Sequence, residues 1–401
     1  MSAPEKIPLL SDLYQRALLT STPVFDARRH VSGVRLQVHG LPAGRTMSEA
    51  VAPLLNSLAT LDPLVVLVGV PGAPPDAGLL AVDLPKNVVL EIPADVAADP
   101  DAEPALQQLA AKGRRLAVAG LPSRSIAPEV LGCFEYALVP AALDRRLAPA
   151  PVGPARRTLR FLVTEAGTLG EVNAAFERGA SGSVGWPTRD EAMRRPRPLQ
   201  PAQAVVLELM RLLRDDAPAA KIEAVLKRDT ALSFRLLKLV NSPALGAVNI
   251  SSFQQAVMVL GYAKLQRWLV MLLAKSTDEP DAAPLVSYSI TRGLMLDYLG
   301  AEVDASLRDD LFVTGAFSLL DRITGTPFDT LFESVMLNSL ATEAIARGEG
   351  PLGAFLALAH AVEQHDVGAM RHRIEQQFLT PMLVNTALLR AVVDSHVLMR
   401  E

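Results

Sequence analysis

A His-Asp doublet, His365-Asp366, is the first place in the sequence where chemistry could occur, because imidazole and carboxylate groups together bind divalent metals. The preceding histidine, His360, lies five residues earlier, whereas ligands on one helical face need a spacing of three or four. The doublet also falls between two helical patterns, where histidine favours a helix C-terminus and aspartate caps the next N-terminus. We therefore interpret His365 and Asp366 as helix-end residues and not as metal ligands.

The single cysteine, Cys133, could be a nucleophile only if a histidine and an acid lay beside it. Its neighbours Leu131 and Phe134 are apolar, so we interpret Cys133 as an inert packing residue. One cysteine also permits no internal disulfide and no cysteine-rich zinc site. No phosphate-binding loop is present either, because the Lys-Ser/Thr of such a loop does not follow the candidate glycines Gly113, Gly120 and Gly182.

The composition indicates a folded chain of two domains. The sequence has 401 residues, of which 50% are hydrophobic and 20% charged, and its net charge is -4. So weak a negative charge gives no broad attraction for nucleic acid, and we expect no nucleic-acid partner. The first residues, MSAPEKIPLLSDLYQ, do not have the pattern of a secretory signal. Prolines interrupt the apolar stretch Leu64 to Val82, so we expect no membrane insertion and a cytoplasmic location.

Short β-type runs alternate with helical patterns through the first half of the chain. The clearest predicted helices are Met47 to Thr60, Ala102 to Lys112 and Leu169 to Arg178. This alternation predicts a parallel sheet or an α/β barrel, with any site at the C-terminal ends of the strands. The predicted strands are Val34 to Val38, Leu64 to Val70, Val88 to Ile92, Arg115 to Ala119, Ala137 to Val139, Leu159 to Val163 and Ser183 to Trp186.

The second half has helical periodicity almost to its end. Proline and charge interrupt the pattern between Pro187 and Pro201, where we place the domain boundary. The predicted domains are residues 1–190, of the α/β class, and residues 197–401, of the all-α class.

Three segments of the first half resemble an EAL domain, the barrel that hydrolyses cyclic di-GMP in bacterial signalling. Thr22 to Gly40 (TPVFDARRHVSGVRLQVHG) resembles its opening, Leu84 to Ile92 (LPKNVVLEI) a later strand, and Leu109 to Ala119 (LAAKGRRLAVA) the helix and strand that follow. The likeness covers most of Thr22 to Thr188. It implies a TIM-like α/β barrel.

That resemblance also implies a site of carboxylates and an amide around two divalent cations, and this sequence lacks nearly all of them. Arg35-Leu36-Gln37 stand where the name-giving Glu-Ala-Leu is expected, and the cation of Arg35 would repel a metal. Glu91 is retained, and we interpret it as a satisfied strand-end carboxylate. We therefore expect a degenerate barrel without catalytic, metal or cofactor residues. The other altered positions are Gly69, Ala94, Ala119, Gly120, Leu138 and Pro140.

The stretch Arg228 to Leu273 resembles the HDOD family, a helical output domain related to HD phosphohydrolases. The resemblance rests on Leu-Val-Asn-Ser ending at Ser242, on Ser-Phe-Gln-Gln-Ala-Val from Ser252, and on Leu260-Gly261, and it extends over about Arg197 to Ile374. No histidine stands between His39 and His360, so the metal ligands of HD enzymes are missing. The candidate interaction surface comprises Lys238, Asn241, Lys264, Arg267 and Trp268.

The sequence thus favours a non-enzymatic signalling protein that offers surfaces to an unidentified signalling protein. Two alternatives stay open. The first is a cyclic di-GMP phosphodiesterase with a rearranged metal site. The second is a cyclic di-GMP receptor without turnover, in which Arg28, Arg29 and Arg35 could contact phosphates. Cyclic di-GMP binding is not favoured, since arginines in an N-terminal hairpin are usually exposed.

Overall fold

The computed structural model describes residues 10–146, 159–190, 201–226 except 216, and 279–400 except 335–338, with the isolated residues Arg228, Leu265, Leu269 and Leu272. The chain folds as two compact units. One unit comprises Met1–Ile7 with Met193–Ala359, and the other comprises Pro8–Ala192 with His360–Glu401. We call them the helical unit and the barrel unit.

Eight strands close into a barrel in the order of the sequence. The first strand runs antiparallel to both of its neighbours, and the other neighbouring pairs are parallel. The barrel class predicted from the sequence is confirmed. The strands are β1 Leu18–Phe25, β2 Val31–His39, β3 Val65–Gly69, β4 Val88–Pro93, β5 Arg115–Ala119, β6 Tyr136–Pro140, β7 Arg160–Thr164 and β8 Gly182–Val184.

The inward side chains of the strands form one apolar cluster in the barrel. Because successive strand residues face opposite sides, Leu67, Val89 and Ala117 share this interior with Val24 of β1. The same alternation directs Thr20 and Thr22 inward near the start of β1. The sequence does not predict β1, because its polar threonines and Pro23 interrupt any apolar run.

Short helices and 3-10 turns connect the strands of the barrel. The predicted single helix Met47 to Thr60 is divided in the structure, because Pro53 begins a 3-10 turn at Ala52–Leu54. The helices are α1 Met47–Val51, α2 Leu55–Ala59, α3 Gly78–Ala81, α4 Ala94–Ala97, α5 Glu103–Ala111, α6 Pro128–Leu131 and α7 Leu169–Glu177. The other 3-10 turns of this part are Asp12–Gln15, Pro100–Ala102 and Ala141–Leu143.

The helical unit, in its described residues, consists of helices and one 3-10 turn, Pro280–Ala282, which confirms the predicted all-α class. Its long helix packs closely on the next one: a Cβ on Gly315 would lie 2.8 Å from the Cα of Gly293. Only glycine permits this approach of two backbones. The helices are α8 Pro201–Arg214, α9 Ala219–Leu226, α10 Ala283–Val303, α11 Arg308–Phe317, α12 Leu320–Thr324, α13 Phe328–Ser334, α14 Ser339–Arg347 and α15 Gly350–Glu363.

The last two helices, α16 Val367–Gln376 and α17 Pro381–Arg400, belong to the barrel unit. The predicted division into 1–190 and 197–401 therefore differs from the observed units over residues 360–401. The difference has a physical reason in β1. Strand β8 pairs only with Val24 and Phe25, so the rest of that edge of β1 has no strand beside it. Helix α17 packs beside the rest of that strand, where the amide side chain of Asn385 bonds the backbone.

Helix α17 is also long and apolar enough to cross a membrane, with a mean hydropathy of 1.3 over Pro381–Met399. Such a composition is equally typical of the core helix of a soluble protein. In the structure 44% of this span is buried, and the helix packs beside β1. Val384, Leu388 and Leu389 are almost completely buried, and so is the polar Asn385.

Candidate active site

A cavity of about 260 Å³ lies at the C-terminal ends of the parallel strands. This is the end of a TIM-type barrel where active sites form. The register brings the strand ends together, pairing Gln37 with Gly69, Gly69 with Glu91, and Ala119 with Leu138. The cavity is lined by Arg35, Gly69, Val70, Pro71, Glu91, Pro93, Ala119, Gly120, Leu138, Pro140, Thr164 and Glu165.

Arg35 and Glu91 form a two-point ion pair inside the barrel. Arg35 Nε donates to Glu91 Oε2 over 2.7 Å, and its Nη2 donates to Oε1 over 2.5 Å. The side chain of Glu91 is 6% exposed and that of Arg35 is 15% exposed. A paired guanidinium is the geometry that best satisfies a buried carboxylate. Both oxygens of Glu91 are therefore already used by a cation of the same chain.

Gly69 provides the space for this pair. A Cβ at position 69 would lie 3.1 Å from Cδ of Glu91 and 3.3 Å from each of its carboxylate oxygens. A larger residue, such as the amide implied by the family resemblance, would have to displace the Glu91 side chain. Gln37, also on the inner face of β2, places its Nε2 3.4 Å from Glu91 Oε1. The absence of a side chain at Gly69 thus leaves room for Glu91 in the position where it bonds Arg35.

The other altered positions make most of the cavity wall apolar. Ala119, Gly120, Leu138 and Pro140 line the wall without a carboxylate, and Glu165 on an exposed loop is its second acidic residue. Its φ of 58° is unusual for a residue other than glycine.

Two predicted site positions lie elsewhere. Leu36 is buried on the outer face of β2, between the inward Arg35 and Gln37. Ala94 is the first residue of α4, beyond the strand that carries Glu91, and it does not line the cavity. Within the described residues, no group of three or more His, Cys, Asp and Glu side chains could hold a metal ion.

Sequence reasoning missed a polar cluster on the β1–β2 side of the barrel mouth. Thr22 Oγ1 lies 2.5 Å from His365 Nε2, and Thr20 Oγ1 lies 2.6 Å from His365 Nδ1. Thr20 Oγ1 also lies 2.9 Å from His39 Nε2 at the end of β2. Burial, followed by the positive charge of Arg35, lowers the pKa of His39 and lowers that of His365 to about 4. Both imidazoles are therefore neutral at pH 7.

The His365-Asp366 doublet is a helix end, as its sequence position predicts, but only the aspartate caps. Asp366 Oδ1 accepts from the N–H of Ala369 over 2.9 Å at the start of α16. His365 stands at the C-terminal end of α15, and its imidazole bonds to threonines of β1. The contact spans more than 340 residues of sequence, so no local pattern indicates it.

Cys133 is partly exposed, which corrects the expectation of a core residue. Its thiol lies 3.6 Å from the carbonyl oxygen of Glu129. Burial raises the pKa of the thiol, so the reactive thiolate is scarce at neutral pH. The candidate interaction surface lies outside the described residues; it comprises Lys238, Asn241, Lys264, Arg267 and Trp268.

Comparison with known proteins finds a family similarity in the second half of the chain. The model of the HDOD domain matches residues 199–369. The cyclic di-GMP phosphodiesterase CdgJ of Vibrio cholerae is 27% identical over 223 residues, which cover 55% of this chain and 52% of CdgJ. The uncharacterized protein YuxH of Bacillus subtilis is 23% identical over 164 residues, 40% of each chain. The matches thus span about half the length of these curated relatives.

Among solved structures, an HDOD domain protein of Geobacter sulfurreducens has a TM-score of 0.35 and 19% identity, covering 53% of this chain and 96% of its own. The EAL domain of Mycobacterium smegmatis DcpA has a TM-score of 0.32 and 14% identity, covering 42% and 90%. Residues 199–369 of the chain thus match the HDOD domain model, and they follow a closed eight-stranded barrel.

Proposed function

We propose that this protein is a non-enzymatic signal-transduction protein of the cytoplasm, which acts as a protein-protein interaction platform linked to cyclic di-GMP signalling by ancestry. The ion pair between Arg35 and Glu91 carries the proposal. Two-metal hydrolysis of a phosphodiester needs several carboxylates that converge on the cations. Here the retained carboxylate is bound by an arginine, and the neighbouring wall is apolar.

Electrostatics argue against a cation at this position. A divalent ion at Glu91 would have to break two charge-assisted hydrogen bonds and then lie close to a guanidinium that cannot lose its proton. Glu165 is the second carboxylate of the lining, on an exposed loop. Glu91 is paired with Arg35 and Glu165 is exposed, so these two carboxylates do not replace the several converging carboxylates that two metal ions need.

Hydrolysis of cyclic di-GMP by the full-length protein tests the non-enzymatic assignment. With Mg²⁺ or Mn²⁺ present, we expect no product above that of a buffer control. Metal-dependent turnover that Glu91→Ala abolishes would overturn the proposal. Arg35→Met is the second variant to assay. It removes the guanidinium from Glu91, so it tests whether the arginine is what prevents turnover.

The phosphodiesterase alternative is favoured by one observation, the name of the relative CdgJ. Turnover by the wild-type protein would establish it. The receptor alternative predicts saturable binding of cyclic di-GMP in calorimetry without metal and without product. Absence of both binding and turnover would leave the interaction platform as the proposed role.

The interaction role is tested by capture of protein partners on the full-length chain. The full chain is the correct bait, because α16 and α17 pack on the barrel and would lose their contacts in a fragment of residues 197–401. The matched control is the same chain with Lys264→Glu and Arg267→Glu, which reverses two charges of the candidate surface. A partner retained by the wild type and lost by this variant supports the proposal. Failure of the wild type to retain any protein would count against it.

A further inference from the structure

The turn between α15 and α16 places a side chain inside the barrel mouth. Its His365 reaches the inward hydroxyls of Thr20 and Thr22, with one ring nitrogen on each. Arg35 is the partner of Thr22 in the β1–β2 register, so the imidazole lies beside the strand pair that carries the site. Arg371 of α16 lies over the end of β2, since a Cβ on Gly40 would collide with its Nη2.

The backbone of this turn is suited to glycine, and histidine occupies it. The N–H of Asp366 bonds the carbonyl of Ala361, and the N–H of His365 bonds that of Val362. These two bonds form the glycine-type helix end in which one residue is left-handed, and His365 has a φ of 56°. A non-glycine residue costs about 1–2 kcal/mol in this conformation. The contacts of the imidazole with the two threonines offset that cost.

A second part of the same segment is a permanent anchor. Asn385 is fully buried, and its Oδ1 accepts from the N–H of Leu19 over 2.8 Å. Its Nδ2 donates to the carbonyls of Ala17 over 2.8 Å and Tyr14 over 3.1 Å. The anchor therefore uses three backbone bonds, whereas the partly exposed His365 is held by two side-chain contacts. Of the two, the histidine turn has the fewer contacts with the barrel.

We propose that the His365 turn is a plug that closes the β1–β2 side of the barrel mouth and is released while α17 stays anchored. Helix α15, which leads into the turn, begins among residues of the helical unit and ends in the barrel unit. The plug thus directly follows a helix whose residues belong to both units.

Thiol labelling of two buried threonine positions tests the plug. Thr22, 5% exposed, lies under His365, and Thr164, 4% exposed, lines the open cavity. Thr22→Cys and Thr164→Cys are each made in a Cys133→Ser chain, so that the introduced thiol is the only one. Thr20 keeps its contact with His365 in both. Labelling by N-ethylmaleimide is followed by intact mass.

Adding His365→Gly removes the imidazole and suits the left-handed backbone, so the turn itself is retained. We expect labelling at position 22 to become faster by about tenfold or more, since the imidazole no longer covers this position and its remaining hydrogen bond to Thr20 no longer opposes opening. Labelling at position 164 should change less than twofold. Equal effects at both positions, or no effect at position 22, would overturn the plug.

The urea dependence of labelling distinguishes release from unfolding in the chain that retains His365. If the plug leaves by itself, the labelling rate at position 22 is nearly constant at low urea concentrations. A rate that rises with the full urea dependence of global unfolding would overturn independent release. His365→Asn, which also tolerates the left-handed backbone, is the second variant if His365→Gly does not fold.

Discussion

Removal of the Asn385 side chain should destabilise the barrel unit severely. Asn385→Ala leaves three buried backbone groups without partners: the N–H of Leu19 and the carbonyls of Tyr14 and Ala17. Each of the three buried groups that loses its partner costs about 1–3 kcal/mol, so the expected loss is about 3–9 kcal/mol of unfolding free energy. Few single substitutions outside an active site reach this range.

Urea unfolding monitored by the fluorescence of Trp186 measures this loss. The chain has two tryptophans, so Trp268→Phe makes the signal specific to the barrel unit. Trp186 is 6% exposed and packs edge-on against Phe25 of β1 with ring centroids 5.6 Å apart. Its environment therefore changes when the β1 region unfolds.

Thr386→Ala is the matched control, one residue further along the same helix. The Thr386 hydroxyl bonds only the carbonyl of Met382 within α17, so its removal should cost less than about 1 kcal/mol. If Asn385→Ala costs no more than Thr386→Ala, the anchor does not hold α17 on the barrel. The assignment of residues 360–401 to the barrel unit would then lose its energetic basis.

Three further predictions concern the ion pair in the barrel, the histidine turn and the helical unit. Arg35→Met leaves the Glu91 carboxylate buried without its cation and should cost about 3 kcal/mol, whereas Arg35→Met with Glu91→Leu should recover most of it; a double-mutant cycle in urea without coupling would contradict this. His365 has its pKa lowered from 6.5 to about 4, so its neutral form stabilises the fold above pH 6.5, and ~3 kcal/mol is lost as the pH falls from 6.5 to 4. That loss should be absent from the pH dependence of His365→Gly. Gly315→Val should lower the thermal midpoint of the helical unit in calorimetry by several degrees, because its Cβ would contact the backbone of Gly293; an unchanged midpoint would contradict the close packing.

Local patterns predicted most of the barrel. The observed bounds of β5, Arg115–Ala119, are the predicted ones. Most other predicted strands differ from the observed strands by a few residues at their ends. The pattern failed at β1, whose inward threonines serve a polar contact instead of the apolar core. It also failed at Pro53, which divides a predicted helix into α1, a 3-10 turn and α2.

The candidate site could be predicted in its residues but not in its contacts. The position of Arg35 at one strand and of Glu91 at another suggested a disabled site, because a cation repels metals. That Arg35 bonds Glu91 directly follows from the barrel register, which places residues 56 apart in sequence beside each other. The space that Gly69 leaves for Glu91 likewise depends on the register of β3 and β4, which pairs these two residues.

The sequence by itself determined the two fold classes, an α/β barrel in the first half and an all-α domain in the second. These are encoded by periodicity and residue type within short windows. Only the tertiary structure decided that the last two helices pack on the barrel and that His365 lies in its mouth. The reason is that β8 is too short to cover the edge of β1, so a segment more than 340 residues away satisfies its polar groups.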